Sequence, residues 1–263
     1  MALAGLVAFM PASRHLNMTS LNIHGFVIVP GAFSEAHIDR LHRQVVRRHP
    51  FGMAQTSGIA LVGLTERSGF DFVRELIRSH AIRSIADAVF ADVPEGYRNC
   101  GPNGIGVNRI VGWHKDRLNG QYLRHQKTPL WGKGSETQGG HRIYKIGIYL
   151  DEYSSSDGAL RVVPGSHLTG SYDTHEAIWL HPRKGDVLVW EQRITHRGMD
   201  KAMQHATRGR NRTLVQLGFG RNNIFTDEFE RGTLERNRDH CANRCLNGEY
   251  CCHLPGMPGG APK

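Results

Sequence analysis

His114 and Asp116 stand two residues apart in Gly112-Trp113-His114-Lys115-Asp116, and His196 sits far downstream in Ile194-Thr195-His196-Arg197-Gly198. Two histidines and one carboxylate form the facial triad of non-haem Fe(II) sites, which leaves coordination positions open. On a strand, side chains two apart point the same way, so His114 and Asp116 would reach one ion together. The third ligand must come from another element, and His196 follows the strand-like run Val187–Trp190 after a short loop. A basic cluster of Arg208, Arg210 and Arg212 comes next, directly before the apolar run Thr213–Phe219. A guanidinium donates two parallel hydrogen bonds to a carboxylate, so a fixed arginine suits the far end of a dicarboxylate co-substrate. Arg212 is preferred because it sits at the mouth of the apolar run, whereas Arg208 and Arg210 fall in the loop before it. These residues suggest an oxygenase with a dicarboxylate co-substrate. The competing readings are ordinary. With 16 histidines, a His-x-Asp can be a chance surface turn, a lone histidine is more often structural, and an arginine cluster is commonly a solvated face.

The elements that must position these residues read as helices first and short strands after. His24–Pro30 is a first strand closed by proline. Ser34 caps a helix running to about Arg48, with Glu35 favouring its N-terminal dipole and Ile38, Leu41, Val45 and Val46 as its apolar stripe. Phe70–His80 and Ile82–Phe90 carry apolar residues at helical steps. Ile105–Val111 reads as a strand leading into His114. Strands at Arg142–Leu150, Ala159–Val163, Val187–Trp190 and Arg212–Phe219 follow, broken by the turns at 154–158, 164–167 and 182–186. Thr226 to about Cys245 is polar and helical, and Leu254–Lys263 is Gly- and Pro-rich and expected to be disordered. Helices followed by many short strands suggest a mainly β fold, a sandwich or jelly roll with helices packed on one face.

The chain has 263 residues, which fits one domain with trimmings. The expected division is a tail over 1–20, a jelly-roll domain with its N-terminal helices over 21–225, and a C-terminal helix and Cys/Gly/Pro-rich tail over 226–263. The formal charge of +9 admits a nucleic-acid partner, but the basic residues are spread along the chain and no run interleaves them with aromatics. An anionic small molecule accounts for the same positive field. No apolar run approaches the roughly 20 residues of a membrane-spanning helix. The apolar start, Met1–Met10, has no basic region before it, so a cytoplasmic protein is expected; the absence of acids before Glu35 leaves organelle targeting open. Four of the five cysteines, Cys241, Cys245, Cys251 and Cys252, crowd the C-terminus beside His240 and His253. Their spacing departs from paired C-x2-C zinc sites, and free thiols are favoured over disulfides or metal.

The order of motifs resembles the phytanoyl-CoA dioxygenase family of Fe(II)- and 2-oxoglutarate-dependent oxygenases. The carrying stretches are Trp113–Asp116, Tyr144–Asp151, Gly158–His167, Gly185–Trp190, Thr195-His196 and Arg212 before its strand, over about Gly25 to Gly220. The resemblance implies a double-stranded β-helix, with His114, Asp116 and His196 as iron ligands and Arg212 on the C5 carboxylate of 2-oxoglutarate. It implies Fe(II), 2-oxoglutarate and O2 as cofactor and co-substrates, with succinate and CO2 released. Related halogenating enzymes replace the carboxylate ligand with a small residue, so Asp116 points to hydroxylation or another oxidation rather than halogenation. Family members often carry a small hydroxyl residue two after the distal histidine. Gly198 stands there in this chain, leaving Thr195 or water to supply that hydrogen bond.

Lys145 alternates with Gly147 and Tyr149 along its strand. If that face is inward, Lys145 and Tyr149 contact 2-oxoglutarate or substrate; if outward, Lys145 is a solvated strand-end lysine. The connection from Arg117 to Gly140 is long and basic, like a lid or binding loop. Trp113, Arg117 and Arg124 are therefore candidate substrate contacts, with Tyr122 and Trp131 adding apolar surface. The expected substrate is a small anionic or carboxylate-bearing molecule. An oxygenase acting on a protein or amino-acid side chain, and a non-catalytic jelly-roll binding protein, are the alternatives.

Overall fold

The computed structural model describes residues 16–48, 59–66, 69–107, 111–118, 120–131, 140–151, 159–198 and 212–246. The N-terminal residues 1–15, Lys133, Glu136, the turn at 154–158, Arg208, Arg210, Cys251, Cys252 and the Gly- and Pro-rich end lie outside the described residues.

Alternation along the strands determines the architecture. In β5 (Ile143–Tyr149), Tyr144, Ile146 and Ile148 pack in one apolar cluster with Val187 and Val189 of β8 (Val187–Glu191). Val215, Leu217 and Phe219 of β10 (Thr213–Arg221) join the same cluster. The intervening Tyr149, Leu188, Trp190 and Leu214 belong to a second cluster. Side chains along a strand alternate between faces, so this sheet is apolar on both sides and needs a cover on each.

One cover is helical. Ile38, Leu41 and Val45 of α2 (Glu35–Arg48), Phe72, Val73 and Leu76 of α3 (Asp71–Arg78) and Ile82, Ile85 and Val89 of α4 (His80–Val89) all enter the first cluster. Each set follows the three- and four-residue steps of a helix face. The other cover is a small sheet of β7 (Ile178–Trp179), β6 (Arg161–Val162) and β9 (His196–Arg197), in that order. The large sheet runs β1 (Phe26–Val29), β8, β5, β10, β4 (Gly104–Val107), β2 (Ile59–Leu61), with β3 (Tyr97–Asn99) on the far end of β10. All of its pairings are antiparallel. Two antiparallel sheets enclosing a second apolar layer form a jelly roll, the expected fold.

Gly147 shows how tightly that layer is closed. A Cβ there would lie 2.6 Å from the Trp190 ring, which crosses over it.

Several elements differ from the sequence reading. Residues 18–20, expected in the tail, open α1 (Met18–His24), whose start is capped by Asn17 through the Ser20 amide at 3.0 Å. Of the strand expected over Ile105–Val111, β4 carries Ile105–Val107, while residues 108–110 lie outside the described residues. The connection after Arg117 contains α5 (Gly120–His125). The C-terminal helix, α6 (Ile224–Leu246), packs back on the domain. Its Phe225 and Phe229 form a third cluster with Cys100, Tyr122, Leu130 and Ile143. Among the described residues no helix is long and apolar enough to cross a membrane.

Candidate active site

His114 and Asp116 are not on a strand, contrary to expectation. His114 makes an isolated bridge to His196, with backbone hydrogen bonds of 2.9 Å in both directions, and Asp116 opens a 3-10 turn, Asp116–Leu118. Lys115, between them, explains the departure. Its buried ammonium donates to the carbonyls of Ser166, Thr169 and Arg193 at 2.5, 3.2 and 2.9 Å, filling its three donors. That anchor pulls the segment off the sheet, and the turn brings Asp116 beneath the histidines.

One ligand atom from each of His114, Asp116 and His196 lies within 4.8 Å of the others. The Nε2 of His114 is 3.5 Å from Asp116 Oδ1, and the Nε2 of His196 is 3.7 Å from Oδ2. The Nδ1 atoms approach carbonyls instead: Gly112 O at 2.8 Å and Ile194 O at 3.0 Å. A carbonyl only accepts, so each Nδ1 carries the proton and each Nε2 keeps its lone pair for a metal. Burial, with His114 close by, pushes His196 down to about 3, so it is a neutral ligand at neutral pH. Burial alone would raise the Asp116 carboxyl. Lys145 Nζ, donating to Oδ2 at 2.6 Å, and the two histidines hold it well below the usual carboxylate range instead. The donor set and its tautomers therefore fit a divalent cation.

The triad opens into a cavity of about 410 Å³, within the roughly 300–1,000 Å³ common for small-molecule sites. Its strand wall follows the alternation. Arg212, Leu214 and Gln216 line it from β10 and the residue before it, and Lys145 lines it from β5. Lys145 thus faces inward. Tyr149, on the same face, lies beneath Arg212, whose guanidinium is 5.7 Å from the ring centre. Gly198 lines the cavity, leaving room two residues after His196. Thr195 is fully buried and is not among the lining residues.

Trp113 lines the mouth. The guanidinium groups of Arg161 and Arg197, cross-strand partners, each lie over both Trp113 and Trp179 at 5.4–5.6 Å. This ladder across the small sheet fixes Trp113 beside the metal ligands.

Arg117 and Arg124 do not reach the cavity. Arg117 is 0% exposed and stacks 5.3 Å from the Phe229 ring under α6. Burial brings it down to about 10, opposed by Glu228, and it stays charged at neutral pH. Arg124 points outward and pairs with Glu235 at 2.6 Å. A basic loop beside the ligands suggested an entrance, but in its described part α5 packs on α6, with Arg117 against the Phe229 ring and Arg124 on Glu235. The residue the sequence reading missed is Arg236 of α6, which lines the cavity with Gln121. Its signal was the spacing Phe225, Phe229, Gly232, Arg236 along one helix face.

A jelly roll carrying a converged His-Asp-His site and an inward arginine beside it defines a non-haem, 2-oxoglutarate-dependent iron enzyme. The chain belongs to the phytanoyl-CoA dioxygenase (PhyH) family, whose model matches residues 21–202. No curated protein sequence matches it. Solved structures share the fold at low identity. EvdO2 from Micromonospora carbonacea var. aurantiaca, complexed with 2-oxoglutarate, is 16% identical with a TM-score of 0.55, covering 84% of this chain and 94% of its own. HygX from Streptomyces hygroscopicus, with iron bound, is 16% identical with a TM-score of 0.56, covering 79% and 87%. SnoN, a non-haem α-ketoglutarate-dependent epimerase from nogalamycin biosynthesis, is 16% identical with a TM-score of 0.56, covering 80% and 82%. The family and the converged His114-Asp116-His196 site fit Fe(II) and 2-oxoglutarate as the cofactor set.

Proposed function

We propose that this dioxygenase hydroxylates a small anionic molecule, with His114, Asp116 and His196 holding the iron. The observation that carries the reading is the cavity lining. Lys145, Arg212 and Arg236 line the same cavity as the triad, and Asp116 is the only carboxylate among the described lining residues. Bound Fe(II) supplies the oxidation: O2 gives one oxygen atom to a substrate C–H bond and one to 2-oxoglutarate, which leaves as succinate and CO2.

The protein's own residues bind and orient. The carbonyls of Gly112 and Ile194 fix the imidazole tautomers. Lys145 ties down one oxygen of Asp116 and so orients the carboxylate that would hold the metal. Arg212, stacked on Tyr149 at the end of β10, receives the remote carboxylate of 2-oxoglutarate. Leu160 and Leu214 add apolar lining that limits water. Asp116 keeps the carboxylate that related halogenating enzymes replace with a small residue, which supports oxygen insertion.

The test is product analysis under isotopically labelled O2 with a panel of small carboxylates and their amides. One labelled oxygen in a carboxylate product, matched by equimolar succinate, is expected. Succinate formed only without product, or product only from neutral or peptide substrates, would contradict the reading.

A further inference from the structure

The triad and the strands use one side of the cavity; the helical wall has no role in holding the metal. Gln121 of α5 and Arg236 of α6 form that wall. α6 buries Phe225, Phe229, Gly232 and Thr233 at helical steps, and Arg236 continues the same stripe. Phe229 stacks flat on Tyr122, with ring centroids 5.1 Å apart and planes within 6°. A Cβ on Gly232 would sit 2.6 Å from the Tyr122 ring, so the two helices approach at backbone distance. Polar links close the pair: Glu235 to Arg124 at 2.6 Å and His125 at 2.8 Å, and Asp239 to Gln121 at 3.1 Å. Arg236 is thereby carried on a helix fixed in place.

The acids of α6 are all committed elsewhere. Asp227 and Glu230 hold Arg98, Glu228 takes the amides of Lys127 and Thr128, and Glu235 and Asp239 bind α5. Asp116 is held by Lys145. No ion pair of Arg236 occurs among the described residues. A half-buried guanidinium lining the cavity, with no ion pair among the described residues, is placed to meet an anion that a ligand brings.

We infer that Arg236 anchors the substrate through an oxyanion, carboxylate or phosphate, and makes α6 a substrate-recognition element. The inference rests on the co-substrate reading, which assigns Arg212 to 2-oxoglutarate and leaves Arg236 to the substrate. The planar fork of Arg236 gives two parallel donors to such a group.

The experiment uses the full chain with Fe(II) and saturating 2-oxoglutarate without O2, titrated calorimetrically with benzoate, phenyl phosphate and benzamide. These probes share a ring and differ in the end group. At least one anion should bind the parent tenfold or more tightly than benzamide, and the better anion identifies the oxyanion. Arg236→Gln should erase that preference and Arg236→Lys should retain part of it. The 2-oxoglutarate needed to develop the visible band of the iron chelate should stay the same in both variants. An anion preference that survives Arg236→Gln, or is missing from the parent, overturns the inference. A raised 2-oxoglutarate requirement in Arg236→Gln also overturns it, because Arg236 would then serve the co-substrate. If the parent shows no chelate band, the co-substrate reading fails separately, and the same titration of metal-free protein still decides Arg236. If Arg236→Gln does not fold, Arg236→Lys decides: unchanged affinity for both anions would contradict the need for a bidentate fork.

Discussion

Two walls bound the cavity, and they are held by different forces. The strand wall, with Lys145, Arg212 and Gln216, is fixed by the backbone ladder: Lys145 pairs in register with Trp190 and Gly218, and Gln216 with Gly147 and Gly104. The helical wall, with Gln121 and Arg236, is fixed by side chains, through the Tyr122–Phe229 stack and the carboxylates of α6. A ladder sets which face a residue occupies by parity alone. A packed helix sets it by what lies beneath. The reaction centre belongs to the strand wall and its loops, and substrate choice belongs to the helical wall.

The largest stability effect is expected beneath the helical wall. Arg117→Ala should destabilise the protein by roughly 2–5 kcal/mol, because it empties a fully buried side-chain volume against the Phe229 ring. Denaturant melts measure this, and a loss below about 1 kcal/mol would mean that α6 does not depend on Arg117. On the strand wall, Lys145→Met should lower iron affinity or turnover by roughly 10–100-fold with the fold intact, since it frees the Asp116 oxygen that Lys145 holds. Unchanged iron affinity and turnover would remove Lys145 from the site.

A pH experiment tests a buried pair that lines neither wall. His141, buried 2.7 Å from Glu191 at the end of β8, is pushed down to about 4 by burial. The unfolded imidazole takes up its proton near pH 6.5 and the folded one does not. Stability from this group is therefore present above pH 6.5 and is lost as pH falls toward 4. Metal-free protein should show that decline, and His141→Gln should flatten it; an equally steep decline in the variant would place its origin elsewhere. The smallest effect is expected for Glu235→Gln. The pair with Arg124 is exposed, so the melting temperature should barely move and should move less in high salt. A large loss would show that the α5–α6 clamp is stronger than its exposure suggests.

The contrast between walls also explains what the sequence revealed. Period-two alternation put Lys145 and Tyr149 on one face but left open whether it was inward, and the strand after Arg212 singled that arginine out from its neighbours. The three metal-site residues were legible as types, but their backbone was not. Lys115 reads as a surface lysine, yet its three carbonyl partners come from Ser166, Thr169 and Arg193, all distant in sequence. The helical wall was misread because charged residues surround α6 in sequence. Arg117 and Arg124 read as entrance contacts, but Arg117 is buried against Phe229 of α6 and Arg124 pairs with Glu235 at the surface, while Arg236 read as part of a polar helix. Only the Phe225–Phe229–Gly232 stripe marked its face.

The most direct measurement is an anaerobic titration of the protein with Fe(II) and 2-oxoglutarate, following the weak visible band of the chelate, repeated with His196→Ala and Arg212→Ala. The predicted result is a band in the parent, none in His196→Ala, and a band in Arg212→Ala that needs much more 2-oxoglutarate. An unaltered band in His196→Ala, or an unchanged 2-oxoglutarate requirement in Arg212→Ala, would contradict the assignment of these residues to the iron and its co-substrate.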